Sequence, residues 1–189
     1  ITKMSNIHFP ATVKSATRIK KMGENPNYII KSGSLSIDEI IEKKISTLRE
    51  LNFKYNLDLT GDEIISLRHP DRTEPNKSKE QIVATLKAVI KTKHNAIIIG
   101  PNMDTGNNSI NKTIKLFSKN NSLKFFSSLP REDYLGLLKN CKLLIGNSSS
   151  GIIEAPFLRI PSVNIGTRQL GRLRSKSVID CNYEKSNIK

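Results

Sequence analysis

The sequence predicts an α/β fold: an open, doubly wound, mostly parallel sheet. Short β-type runs alternate with helical stretches along the 189 residues. Most of the runs are continuously apolar, as strands buried on both faces require. Two polar connections fall at the C-terminal ends of expected strands, where ligands bind in sheets of this kind.

Residues 1–33 read as a strand, a helix with Ala11–Met22 and a second strand. We take them as the tail of a preceding domain and the crossover into a second domain, residues 34–189. Ser36-x-x-Glu39 has the form of a capping box and predicts a helix running toward Leu51. Strands are expected at Glu63–Leu67 (EIISL), Ala96–Gly100 (AIIIG), Leu123–Phe126 (LKFF), Lys142–Gly146 (KLLIG) and Ser162–Ile165 (SVNI). Between them, Lys79–Lys93 places Ile82, Val83, Leu86, Val89 and Ile90 at spacings of three and four, the stripe of a helix packed on one side. Helices are also expected at Ser109–Asn120 and Arg131–Asn140, the latter with Pro130 where a first-turn proline belongs. The two connections are Asp71–Lys77 (DRTEPNK) and Pro101–Asn108 (PNMDTGNN), and no internal repeat is present.

Hydrophobic residues make up 37% and charged residues 25%, a globular composition. No apolar run approaches the ~18 residues of a membrane span. Ile1–Pro10 lacks the charged-then-apolar pattern of a signal peptide and does not begin with Met, so the chain reads as an interior segment of a longer protein. Cys141 and Cys181 lie far apart, and the histidines are His8, His69 and His94. That excludes a disulfide framework and a structural zinc motif, and makes the reduced cytoplasm the expected compartment. No metal or cofactor is expected.

Lys+Arg 31 against Asp+Glu 17 gives a net charge of +14. The commoner reading is lysines on solvated helix faces; of the anionic partners, a phosphate-bearing small molecule fits the charge as well as a nucleic acid does. Aromatic content is 5%, there is no Trp, and no stripe of arginines and aromatics stands out, which argues against a nucleic-acid partner.

The most informative segment is Lys142–Arg174, KLLIGNSSSGIIEAPFLRIPSVNIGTRQLGRLR. A buried strand ends at Gly146, and Asn147, Ser148, Ser149, Ser150 and Gly151 lead into a helix expected to begin near Ile152. Small hydroxyl residues and glycine at such a turn leave the first helical N–H groups accessible, a setting that suits a phosphate. A plain N-cap explains one serine but not three with a glycine. Glu154 fits no capping box, because Gly151 stands three before it. A carboxylate there can instead accept both ribose hydroxyls of a nucleotide. Past the next strand, Gly166–Arg172 carries Arg168 and Arg172. Such arginines either neutralise a diphosphate or belong to an ordinary basic surface loop.

The combination GNSSSG-x-x-E-A-P followed by I-P-S-V-N-I-G-T-R-Q-x-G-R resembles the UDP-N-acetylglucosamine 2-epimerases of sialic-acid-type pathways. Ile1–Pro10, Met22-Gly23-Glu24 and Gly33-Ser34 through Asp38 are similar to the same family's middle region, in the same order, so the resemblance covers nearly the whole chain. It implies a C-terminal half of two Rossmann-like domains that clamp UDP in a cleft. It also implies that Ser148, Ser149, Glu154 and Arg168 contact UDP, with Glu154 on the ribose and Arg168 on the diphosphate. Asn102 matches a position near the uridine, and Leu129 one where backbone groups bond the uracil. His69, alone, reads as a turn residue before Pro70; the resemblance makes it a cleft histidine, either beside the leaving diphosphate or in proton transfer.

Relatives that only interconvert the epimers usually carry T-D-S-G-G and R-D-T-T-E-R-P-E forms. This chain has GNSSSG and GTRQxGR, so it resembles the hydrolysing branch, which releases UDP and a free 2-epimer sugar. UDP-N-acetylglucosamine and a UDP-diacetylbacillosamine-type sugar both suit these motifs. The family's carboxylates at C2 lie in the other domain, so no turnover is expected from these residues alone. The implied partner is the UDP-sugar, with no membrane partner and a homo-oligomer, dimer or tetramer, for the full-length protein. Two other readings stand beside this one: the donor-binding half of a glycosyltransferase of the same fold, which usually lacks the Gly166–Arg172 pattern, and a non-catalytic anion or nucleic-acid binder motivated by the charge alone.

Overall fold

A computed structural model describes residues 1–71 and 73–183. Arg72, within the Asp71–Lys77 connection, and residues 184–189, at the end of the expected second domain, lie outside the described residues. The chain divides into two compact units, Ile1–Lys43 and Lys44–Lys189.

In the first unit, helix α1 spans Val13–Lys21, with Thr12 as N-cap accepting a hydrogen bond from the Ser15 N–H at 3.1 Å. The two flanking strands expected from the sequence are reduced to one parallel bridge between His8 and Ile29. His8 N–H donates to Tyr28 O and Ile30 N–H donates to His8 O, both at 2.8 Å. Pro10 has no N–H with which to extend the ladder. Helix α2, Leu35–Glu42, closes the unit. Ser34, not Ser36, stands at its N-cap, and the helix ends well short of Leu51.

The capping box belongs instead to α3, Leu48–Tyr55, where Thr47 and Glu50 bond reciprocally. The expected single helix is thus two, because Thr47 offers a fully formed N-terminus of its own.

The second unit is a six-stranded, all-parallel sheet of β1 (Ile64–Leu67), β2 (Ala96–Ile99), β3 (Leu123–Phe126), β4 (Leu143–Gly146), β5 (Ser162–Ile165) and β6 (Val178–Cys181), in the order β3-β2-β1-β4-β5-β6. The fold class read from the sequence is the one observed. Helices α4 (Ser78–Lys91), α5 (Asn107–Phe117) and α6 (Arg131–Asn140) join successive strands. Ile64, Ala96, Ile98, Leu123 and Ile145 pack with Ile82, Leu86 and Val89 of α4 and Ile110 and Ile114 of α5 in one core layer. The residues alternating with them, Ile65, Leu67, Ile97, Ile99 and Leu144, are equally buried, so both faces are covered.

The edge strand β6 went unseen in the sequence. Among the described residues β5 alone pairs with it, and its middle residues are exposed, so VIDC carries no continuous apolar run. The strands all run parallel, but the direction in which they are added reverses between β1 and β4: from β1 the order steps outward to β2 and β3, then returns to β4 on the other side of β1. The C-terminal ends of β1 and β4 therefore flank the switch point, where loops splay apart and a ligand crevice forms.

Candidate functional site

All seven sequence-predicted site residues follow the C-terminal ends of β1 to β5. His69 comes after β1, Asn102 after β2, Leu129 after β3, Ser148, Ser149 and Glu154 after β4, and Arg168 after β5. His69, Asn102 and Leu129 line one cleft of about 260 Å³, shared with Gly100, Ser128 and Tyr134.

His69 is tied on both its main chain and its ring. Its N–H donates to Asn147 Oδ1 at 2.7 Å, and its carbonyl accepts from Asn147 Nδ2 at 2.9 Å. The Asn102 backbone N–H donates to His69 Nδ1 at 3.0 Å. A peptide N–H only donates, so Nδ1 is the unprotonated nitrogen and Nε2 carries the hydrogen. Burial, reinforced by the positive charge of Arg168, pushes the imidazole pKa down to about 4, against a smaller opposing pull from Asp104. Near neutral pH the ring is an uncharged N–H donor.

Arg168 is the second member. Its Nη1 donates to the Asn147 carbonyl at 3.4 Å, and its Nη2 lies 4.0 Å from Asp104 Oδ2. Asp104 in turn accepts from Asn102 Nδ2 at 2.7 Å. His69, Asn102, Asp104, Arg168 and Asn147 therefore close a ring of contacts across the loops after β1, β2, β4 and β5. The Gly166–Arg172 loop is fastened at two further points. Buried Gln169 donates from Nε2 to the Asn147 carbonyl at 2.8 Å, and Thr167 Oγ1 lies 3.3 Å from Asp71 Oδ2. Asp71 also accepts from the Tyr183 hydroxyl at 2.9 Å.

Ser148 is buried, its Oγ accepting from the Ser150 N–H at 3.3 Å. The helix expected from Ile152 is much reduced. Ser149–Gly151 forms a 3-10 turn, and α7, Glu154–Phe157, has 4 residues. With so few aligned peptides, a helix dipole contributes little here, and the hydroxyls and Arg168 are the polar groups this edge offers an anion. Glu154 is buried and stands outside the ring, its Oε1 bonded to Arg131 Nη2. The Arg131 guanidinium lies 5.9 Å over the Tyr134 ring, and the Tyr134 hydroxyl bonds Ser150 Oγ.

Sequence reasoning passed over Asn147, Asp104, Gln169 and Arg131. Asn147 and Gln169 sit inside motifs already singled out, but their partners lie on distant loops. Arg131 gave a weak signal as the first residue of α6, after Pro130.

Next to His69 in the chain stands another unforeseen group, the fully buried Arg68. It donates to Gln81 Oε1 at 2.8 Å and stacks 4.9 Å over the Tyr183 ring. Among the described residues, no group of His, Cys, Asp and Glu is placed to hold a metal ion, and no helix is long and apolar enough to cross a membrane.

The family model described as UDP-N-acetylglucosamine 2-epimerase matches residues 1–189. Polysialic acid biosynthesis protein P7 of Escherichia coli is 37% identical over 190 residues, covering 100% of this chain and 48% of that protein. UDP-N,N'-diacetylbacillosamine 2-epimerase (hydrolyzing) of Legionella pneumophila is 35% identical over 180 residues, covering 95% of this chain and 48% of that one. The chain thus spans about half the length of the curated relatives it matches. The crystal structure of UDP-GlcNAc 2-epimerase from Neisseria meningitidis bound to UDP-GlcNAc superposes with a TM-score of 0.72 at 14% identity, over 99% of this chain and 52% of that one. That likeness is one of fold.

Proposed function

The chain belongs to the UDP-N-acetylglucosamine 2-epimerase family, and from that premise we propose that its Lys44–Lys189 unit is the UDP-binding domain of a hydrolysing 2-epimerase. One observation carries the reading: a neutral imidazole N–H donor and a guanidinium are held by the same asparagine, beside Ser148, at the switch point of the sheet. Departure of UDP from C1 of the sugar builds negative charge on the diphosphate, and fixed donors aimed there stabilise that charge without reorganising.

In this reading Arg168 and the Ser148 and Ser149 hydroxyls hold the diphosphate, and His69 donates from Nε2 to the leaving oxygen. Its tautomer and depressed pKa argue against a role as proton acceptor at C2. Glu154, oriented through Oε1 by Arg131, takes the ribose hydroxyls. Asn102 Oδ1 is buried without a hydrogen-bond partner in the structure, which gives the uridine an acceptor. Leu129 borders the uracil.

The reaction breaks the C1–O bond to UDP and the C2–H bond, leaving a glycal. Water then adds, its hydroxyl to C1 and a proton to C2 from the other face. Carboxylates at C2 perform the proton transfers, and in the family they come from the partner domain, so the 189-residue chain is expected to bind UDP without turnover. The GNSSSG and GTRQxGR forms favour hydrolysis, with UDP-N-acetylglucosamine or a diacetylbacillosamine relative as substrate.

The test uses a protein of the relatives' full length that carries this chain, supplied with UDP-N-acetylglucosamine in deuterated water. Free UDP and a free 2-epimer bearing deuterium at C2 should appear in equal amounts. Accumulation of the UDP-linked epimer without free sugar rejects the hydrolysing assignment.

A further inference from the structure

We infer that Asn147 is the positioning residue of this site, holding His69 and Arg168 in one fixed relation from a buried point behind both; the inference deepens the UDP reading and rests on it for its functional consequence.

Main-chain pairing of β1 with β4 runs to Leu67↔Gly146 and stops. Beyond it, the main-chain N–H and carbonyl of His69 are met by the Asn147 side chain, not by a peptide group of the neighbouring strand. The Asn147 side chain supplies what a third strand residue would have supplied. Its Oδ1 takes the His69 N–H at 2.7 Å and its Nδ2 reaches the His69 carbonyl at 2.9 Å. Asparagine alone suits the task. Aspartate has no donor, serine and threonine have one short hydroxyl, and glutamine is a methylene too long. The residue is fully buried, at 0% exposure, so each of these bonds is shielded from competing water.

Its main chain extends the control to the opposite loop. The Asn147 N–H donates to Leu67 O at 3.3 Å, which anchors it to β1. Its carbonyl accepts from Gln169 Nε2 at 2.8 Å and from Arg168 Nη1 at 3.4 Å. One residue therefore sets the backbone of His69, and through it the direction of the ring, while also setting the reach of the Arg168 guanidinium. The Asn102 N–H then fixes the ring's rotation at Nδ1. Among the described residues, the charged groups acting on that ring are Arg168, Asp104 and Arg68. None is replaced by a change at position 147, so a shift in the ring's titration reports its placement and the charge introduced.

The experiment compares Asn147→Asp and Asn147→Ala with the parent, reading UDP affinity by calorimetry, His69 ring titration by NMR and folding by thermal melts. Asn147→Asp keeps the volume and the acceptor but sets a carboxylate oxygen against the His69 carbonyl. Both variants should stay folded and lose about tenfold or more in UDP affinity. In Asn147→Asp the ring should also titrate about one pH unit or more higher. Folded variants with UDP affinity within about twofold of the parent and an unchanged ring titration overturn the proposal. If both variants unfold, amide exchange in the parent decides. Strand-like protection of the His69 N–H supports the proposal, and loop-like exchange overturns it. A parent that binds no UDP counts against the nucleotide reading, while ring titration and amide exchange still decide the positioning claim.

Discussion

Arg168→Ala should cost the domain its hold on the diphosphate while leaving it folded. Hydrogen bonds to a charged group contribute roughly 1.5–3 kcal/mol each, so UDP affinity should fall by about ten- to a hundredfold. In a turnover-competent protein the rate should fall further, on the order of a hundredfold, because in the proposed role the charge that Arg168 stabilises grows as the C1–O bond breaks. Arg168→Lys should lie between, keeping the charge and losing the planar fork. Stability should change little. Its bond to the Asn147 carbonyl is long, at 3.4 Å, while Gln169 holds the same carbonyl at 2.8 Å. Calorimetry with UDP beside urea denaturation of the same samples checks this. A loss of stability as large as the loss of binding energy would mark Arg168 as structural.

Gly146→Ala should be the most damaging single methyl in the second unit. Gly146 has φ +148, and an added Cβ would stand 1.9 Å from the Leu67 carbonyl oxygen and 2.7 Å from its carbon. Those are backbone atoms of the neighbouring strand, not a side chain that can swing aside. The methyl fits only if the β1–β4 pairing opens, at the point that aims Asn147 toward His69. We expect a loss on the order of 3–5 kcal/mol, a large share of a domain's ordinary margin. Gly171→Ala is the control: φ is +78 but nothing lies within 4 Å of the added carbon, so strain alone should cost about 1 kcal/mol. Urea unfolding of both variants checks the contrast, and equal effects would contradict it.

The buried strands were legible because burial on both faces writes itself as an uninterrupted apolar run. EIISL and AIIIG mark β1 and β2 to within a residue. The edge strand β6 was not, because an exposed middle removes that signal. The Ser36–Glu39 pattern misled for a different reason. The form of a capping box is common, and only the structure shows that Thr47 and Glu50 close theirs while Ser34 caps α2 without a side-chain bond.

At the candidate site, the motifs pointed to loops that the fold gathers at the C-terminal ends of the strands, since Ser148, Arg168 and His69 are residue types whose chemistry is visible locally. Asn147 was hidden among the serines that follow it. Its role depends on His69, which is distant in sequence and brought beside it only when β1 and β4 pair. Likewise, no pattern in the sequence reveals that Asn102 offers its N–H to His69 Nδ1, the contact that turns an ambiguous histidine into a donor.

UDP is proposed to sit at the switch point, among the loops after β1 to β5. Titrating the isotope-labelled 189-residue chain with UDP and following its amide and His69 ring signals tests that claim most directly. Saturable shifts should concentrate at His69, Asn102, Leu129, Ser148, Ser149, Glu154 and Arg168. No saturable response, or shifts confined to lysine-bearing helix faces that vanish as salt is raised, would contradict it.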